Sequence, residues 1–383
     1  MKTYLITFLF IALNSCSNQK FVTNKKFSSC SSNENCYFVD NILTVEKEFL
    51  LGSGNLDLLL VNDNSASMII NHDKFLTNFR VFFNQLLNFG FNIKYGSHNL
   101  DINKQQILFT LNGTNYVYNF FDENFISTSI LRNESKQCDQ FIQNSIINFG
   151  YNFQQNTSYV KNYSNVCTSS DERGTLVTSK LIDTGSFFSN DNSFKKAVIT
   201  FSNEDLRSGL YLSDSSFKLS ENESPNYLIN KFNTSFGEQN WSYHSLVALD
   251  QECTTSQRIM LNNRYKLPSN SNAFNSSIGY SYLSISNSEY YDKYNLKIKR
   301  GVVDSICNQN YAQFFDNILN NVGNKNREVM LKCVPIEAPK LNNSQTNQVV
   351  TYIWNNGNSI YINGSELFQK LKLVYSCNNS EKK

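Results

Sequence analysis

The sequence predicts an α/β fold: a doubly wound, mostly parallel sheet flanked by helices, with a small C-terminal all-β appendage. Three observations carry this. Short apolar runs recur, at Leu56–Val61 (LDLLLV), Lys196–Phe201 (KAVITF) and Ser245–Leu249 (SLVAL). Such runs suit strands buried on both faces, as in parallel sheets. Helical periodicity falls between them. After Asn326 the pattern changes to brief β-like runs broken by turn residues.

Leu56–Val61 opens the domain. Phe75, Leu76, Phe79, Phe82, Phe83, Leu86 and Leu87 follow at spacings of three and four, which puts one apolar stripe on a helix. Phe91–Tyr95 is a second candidate strand, and Gln106–Asn119 reads as a hairpin turning at Asn112-Gly113. Residues 132–170 are polar and loop-like. Glu172–Leu181 is predicted helical, and Lys196–Phe201 is the next strand, ending in Ser202-Asn203-Glu204-Asp205. Ser245–Leu249 ends at Asp250, and Gln309–Val322 is an amphipathic helix. Beyond it, Val329–Val334, Val349–Trp354, Ser359–Ile362 and Leu371–Tyr375 are β-like, with turns at Asn342-Asn343, Asn356-Gly357 and Asn363-Gly364. The expected organisation is a signal segment over 1–15, a polar tether over 16–50, the α/β domain over 51–325 and the β-rich domain over 326–383.

Composition narrows the function. The chain has 383 residues, a net charge of +2 and 17% charged residues. That excludes the basic footprint of a nucleic-acid binder. Lys2 followed by the apolar run Tyr4–Leu13 has the form of a signal peptide, and the run is too short to span a bilayer. Leu13-Asn14-Ser15-Cys16 resembles the bacterial lipobox, with Asn14 where a smaller residue is usual. That resemblance implies a lipidated Cys16, and Ser17 is compatible with sorting to the outer membrane. Cleavage as an ordinary signal peptide is the alternative. Of nine cysteines, setting Cys16 aside for lipid leaves an even number: Cys30, Cys36, Cys138, Cys167, Cys253, Cys307, Cys333 and Cys377. None has the spacing of a zinc site, so a disulfide framework is expected, as in exported proteins. Pairing neighbours in order gives Cys30–Cys36, Cys138–Cys167, Cys253–Cys307 and Cys333–Cys377, although sequence does not decide connectivity.

Asp63, Ser65 and Ser67 stand two apart directly after the first strand. Ligands of open α/β sheets bind at the carboxyl ends of strands. Hard divalent cations take oxygen ligands and keep some water. Asp63-Asn64-Ser65-Ala66-Ser67-Met68 resembles the DxSxS metal-ion-dependent adhesion site of von Willebrand factor A-type (VWA) domains. The chain also resembles bacterial lipoproteins that carry this domain. The resemblance implies a VWA, Rossmann-like sheet and two further ligands. One is a loop hydroxyl before the helix near Leu176, best matched by Ser170, with Ser169 and Thr168 as alternatives. The other is an Asp after the fourth strand. Asn203 stands there instead, with one negative charge lost, and Glu204 or Asp205 would substitute only after a register slip. The implied cofactor is Mg²⁺ or Mn²⁺, with Ca²⁺ as another option. The implied partner is a protein or cell-surface ligand that offers a carboxylate.

Enzyme signatures are missing. His72, His98 and His244 share no metal-like spacing, and the chain contains no GxSxG, GxxxxGK[ST] or GxGxxG motif. No catalytic residue is assigned. Trp241, Trp354 and the cluster Tyr280, Tyr282, Tyr290, Tyr291 and Tyr294 are candidate contact aromatics. The expected function is cation-dependent adhesion or protein binding by an envelope lipoprotein held to the membrane through its lipid. A metal-independent structural or assembly lipoprotein is the alternative.

Overall fold

The computed structural model describes residues 34–39, 42–63, 65–100, 131–149, 173–191, 193–206, 221–271, 276–292, 294–364 and 367–378. Cys16, Cys30, Cys167, Ser170, the signal segment and the expected hairpin over 106–119 lie outside them.

In chain order come strands β1 (Glu34–Val39), β2 (Ile42–Leu50) and β3 (Asn55–Asn62). A 3-10 turn over Ala66–Met68 leads into helix α1 (Ile69–Asn88), and β4 (Asn92–Asn99), α2 (Leu131–Phe149) and α3 (Gly174–Thr184) follow. Next are β5 (Phe194–Phe201), α4 (Pro225–Phe236), β6 (Trp241–Val247), α5 (Gln251–Arg264) and α6 (Tyr280–Ser286). A small hairpin of β7 (Glu289–Tyr291) and β8 (Lys297–Lys299) precedes β9 (Val303–Ser305) and α7 (Ala312–Asn324). The chain closes with β10 (Glu328–Met330), β11 (Lys340–Asn343), β12 (Tyr352–Ile353), β13 (Ser359–Ile362) and β14 (Lys370–Asn378).

The chain forms two units. Gly52–Arg327 makes the larger, and the smaller draws on both ends of the chain, up to Leu51 and from Glu328. The larger unit holds a parallel sheet in the order β4-β3-β5-β6-β9. Helices cover both faces. On one, α3, α4 and α6 pack Val177, Phe232 and Tyr282 against Leu59, Val198 and Tyr243. On the other, Phe75 of α1 stacks on Phe201 and Phe82 stacks on Phe315 of α7. Sandwiching explains why β3 is buried from Leu56 onward, even at Asp57. That carboxylate takes the Ser189 N–H at 2.6 Å, and burial pushes its pKa up.

Strand order positions the site. From β3 the chain moves to β4 on one side, then returns past β3 to β5 on the other. Helix connections diverge at this point, leaving a crevice at the carboxyl ends of β3 and β5. Asp63 follows β3, and Ser202 and Asn203 follow β5.

Several expectations require correction. Glu34–Val39 and Ile42–Leu50 are not tether but sheet. In the smaller unit β1-β2-β14-β11 form one antiparallel sheet and β10-β13-β12 another. The β-rich unit is therefore not purely C-terminal. In β2, Leu43, Val45 and Phe49 alternate into the core. Glu46 and Glu48 point outward to Lys372 and Lys370 of β14. This period of two is the strand signal.

The polar stretch after residue 132 is helix α2 over Leu131–Phe149 rather than loop. Its apolar positions are few but helically spaced: Cys138 and Ile142 are buried, with Phe141 and Ile146 packed beside them. Asp139 on the same face takes a bidentate bond from Arg264, at 3.0 and 2.7 Å, and the Tyr265 hydroxyl at 2.6 Å.

Strand β6 begins at Trp241, before the expected Ser245. Trp241 is fully buried, stacked on Phe232 at 4.7 Å, so it offers no contact surface. The tyrosine cluster splits: Tyr282 and Tyr290 are core, whereas Tyr280 and Tyr291 are exposed. Disulfides join Cys253 to Cys307 and Cys333 to Cys377.

Candidate functional site

The site starts from backbone. The Asp63 N–H donates to the Phe201 carbonyl at 2.9 Å, continuing the β3–β5 pairing by one residue. The Ser202 N–H likewise donates to Leu246 at 3.2 Å. Both chains are thus held to the sheet at the point where their side chains meet.

Asp63 turns the chain. Its Oδ1 accepts the Ser65 N–H at 2.8 Å, which closes an Asx turn. Its Oδ2 accepts the Ser202 hydroxyl at 3.1 Å. The turn brings the Ser65 and Ser67 hydroxyl oxygens within 2.7 Å of each other. The Ser67 hydroxyl then donates to Asn203 Oδ1 at 3.3 Å. Asp63, Ser65, Ser67 and Asn203 therefore form one connected group of oxygens at the switch point. Asp63, Ser67 and Asn203 are buried, and Ser65 is half-exposed.

Asn203, not a neighbour, meets Ser67. Asp205 is committed elsewhere: its Oδ1 accepts the Ser281 N–H at 2.9 Å in the first turn of α6. Asp250, at the end of β6, caps α5 through the Cys253 N–H at 2.7 Å and is no ligand candidate. Ser170 lies outside the described residues. The nearest described one is Arg173, whose N–H donates to the Leu100 carbonyl at 3.3 Å, just past β4. Helix α3 therefore starts at the same sheet edge as the cluster.

Two supports were not read from the sequence. The Ser202 hydroxyl orients the Asp63 carboxylate. His72, buried in the first turn of α1, places Nε2 3.1 Å from the Asp63 carbonyl. His72 falls on the buried face of α1 with Phe75 and Phe79, so its α-helical spacing was a usable signal.

One side-chain atom in the cluster has no partner among the described residues. Asn203 Nδ2 is buried without an acceptor, in a residue with 0% exposure. An unmet buried donor costs about 1–3 kcal/mol. The oxygens are hard, neutral or singly charged, and close together, which suits Mg²⁺ or Mn²⁺ better than a soft metal. Asp63, Ser65, Ser67 and Asn203 would hold such an ion. Among the described residues, no three of His, Cys, Asp and Glu gather as metal ligands.

His244 is structural. Its Nδ1 accepts the Val302 N–H at 3.1 Å, so Nε2 carries the proton and faces Ser242 Oγ at 3.0 Å. Complete burial, aided by the nearby Lys325 charge, pushes its pKa from 6.5 down to about 3. The folded state therefore binds fewer protons than the unfolded state between these values. His244 contributes full stability above pH 6.5 and loses it as pH falls toward 3. We expect acid to destabilise the wild type by up to about 1.4 kcal/mol per pH unit through this residue. Urea unfolding between about pH 6.5 and 4 should be measurably flatter in His244→Asn; equal slopes would contradict this assignment.

No protein-family model and no curated protein sequence matches the chain. Among solved structures, it overlaps the pilus adhesin SpaC from Lactobacillus rhamnosus GG at TM-score 0.32 and 9% identity, covering 90% of this chain and 42% of that one. The pilus adhesin RrgA from Streptococcus pneumoniae gives TM-score 0.26 and 9% identity, with 90% and 60% covered. The human COPII-coat protein Sec24c gives 0.28 and 7%, with 87% and 42% covered. The chain spans less than two thirds of each, and overlaps of this size carry no functional argument. No helix among the described residues is long and apolar enough to cross a membrane.

Proposed function

We propose that this chain is a surface-anchored lipoprotein whose VWA-type domain binds protein or cell-surface ligands through a divalent cation. Cys16 would carry the lipid, and the domain would present its crevice outward. The convergence of Asp63, Ser65, Ser67 and Asn203 oxygens at the carboxyl ends of β3 and β5 carries this reading. The bound ion supplies a Lewis-acidic positive charge, which attracts a carboxylate on the partner. Asp63 orients the turn and provides the negative charge. Ser65 and Ser67 offer hydroxyl oxygens, and Asn203 offers a neutral carbonyl.

Thermal unfolding tests the reading. A cation at ~100 times its dissociation constant adds about 2.7 kcal/mol of stability, or a rise of a few degrees in Tm for a chain of this size. We expect millimolar Mn²⁺ or Mg²⁺ to raise Tm over EDTA in the wild type and not in Asp63→Ala. No rise with Mg²⁺, Mn²⁺ or Ca²⁺ would remove the cation from the proposal.

A second reading has its own support. Both Asp63 oxygens already accept hydrogen bonds from Ser65 and Ser202. That self-contained turn suits a metal-independent structural or assembly lipoprotein, whose partner binding would persist in EDTA.

A further inference from the structure

The inference rests on the protein-binding role proposed above and concerns the segment 276–281, which lies against the ends of two strands. The Asn203 carbonyl accepts the Ser276 hydroxyl at 2.8 Å and the Ser277 N–H at 3.1 Å. The Asp205 N–H donates to the Ser277 hydroxyl oxygen at 2.8 Å, and Asp205 Oδ1 accepts the Ser281 N–H at 2.9 Å. The Gly279 N–H donates to the Ala248 carbonyl at 3.0 Å, just past β6. A Cβ on Gly279 would stand 2.9 Å from Val247, so the backbone is pressed against that strand. The segment is therefore fixed to the carboxyl ends of β5 and β6, and one of its anchors is Asn203 itself.

Tyr280 opens α6 from this fixed base and is 66% exposed. Packing does not account for it. Tyr282 and Ile285 supply the buried side of the helix. Two residues along a helix turn the side chain by about 200°, so Tyr280 points away from the core that holds Tyr282. Tyrosine is not a strong helix former either. A rigidly held ring with two side-chain torsions gives up little entropy on binding, which is why tyrosine is common at interface hot spots. The polar groups around it are spent: Ser276, Ser277 and Asp205 bond to the strand ends or within the segment. The segment thus offers a ring rather than a set of free hydrogen-bonding groups. That suits an apolar side chain of a protein better than a saccharide.

We infer that Tyr280 is a specificity-determining contact of the strand-end site. Its ring packs against an apolar or aromatic side chain next to the acidic residue that a protein partner brings to the crevice.

NMR titration of the full chain with two capped tripeptides, in Mg²⁺ and in EDTA, tests this. In one peptide aspartate is followed by phenylalanine, in the other by glycine. In Mg²⁺ we expect the wild type to bind the phenylalanine peptide about fivefold more tightly, the size of a hot-spot contact. The preference should fall below about twofold in Tyr280→Ala and survive in Tyr280→Phe. The side chain is exposed, so truncating it leaves the fold standing. An equal preference in wild type and Tyr280→Ala, no preference in the wild type, or no binding of either peptide overturns the assignment. A Tyr280-dependent preference that is unchanged in EDTA overturns the cation reading and leaves Tyr280 in place. Displacement of the phenylalanine peptide by methyl glucoside would assign the ring to a saccharide and overturn the protein partner.

Discussion

Replacing Trp241 with alanine is expected to cost about 3–5 kcal/mol, the range for deleting a buried large aromatic. The indole is fully buried at the start of β6 and stacks on Phe232. Its Nε1 donates to Asn233 Oδ1 at 2.9 Å. The Arg300 guanidinium lies over its ring at 4.1 Å and over Tyr290 at 4.5 Å. Arg300 is itself buried, and its charge is stabilised by these two aromatic faces together with the Asn233 side chain and the Glu238 carbonyl. Burial still pushes its pKa down to about 10. Removing the indole therefore opens a cavity and strips one face from a buried cation. Most single domains have only about 5–15 kcal/mol to lose. Urea denaturation should show the midpoint falling sharply. A loss below about 1 kcal/mol would mean that the packing here is not what holds β6 in place.

The Cys253–Cys307 bond should matter nearly as much. It closes a separation of 54 residues, linking the first turn of α5 to the segment after β9. Loop entropy for that length gives about 4 kcal/mol. The bond also sits beside the supports of the site. Gln257 places Nε2 3.6 Å from Cys307 Sγ and accepts Asn71 Nδ2 at 2.7 Å. Asn71 precedes His72 in the first turn of α1, and Lys74 donates to the Ile306 carbonyl at 3.2 Å. The double variant Cys253→Ala, Cys307→Ala should therefore unfold at distinctly lower denaturant than the wild type. Equal midpoints would show that the unfolded chain gains nothing from the missing cross-link.

The sheet was legible because burial on both faces forces unbroken apolar runs, and Leu56–Val61 and Lys196–Phe201 are such runs. The turn after β3 was legible because Asp63, Ser65 and Ser67 have no packing reason to stand there. Strand β6 was half-hidden. Ser242 and His244 are buried by satisfying one another, which polarity patterns cannot distinguish from exposure. Helix α2 was hidden because an Arg264–Asp139 pair replaces much of its apolar stripe. Helix α4 was signalled but passed over: Ser224 caps it by accepting the Tyr227 N–H at 3.2 Å, and Pro225 occupies its first turn. The N-terminal strands carried a readable period of two, and β2 pairs with its neighbour β1, but its second partner, β14, lies at the far end of the chain. No local pattern predicts that pairing. Asn203 was placed among the ligands by resemblance, but its contact with Ser67 and its unmatched Nδ2 follow only from three-dimensional neighbours.

The most direct test of the cation site is a count of bound Mn²⁺ by electron paramagnetic resonance, comparing wild type with Asp63→Ala at matched folded fraction. We expect one ion per chain in the wild type, added acetate included, and none in the variant. Equal uptake by both proteins, or none by the wild type under either condition, would contradict it.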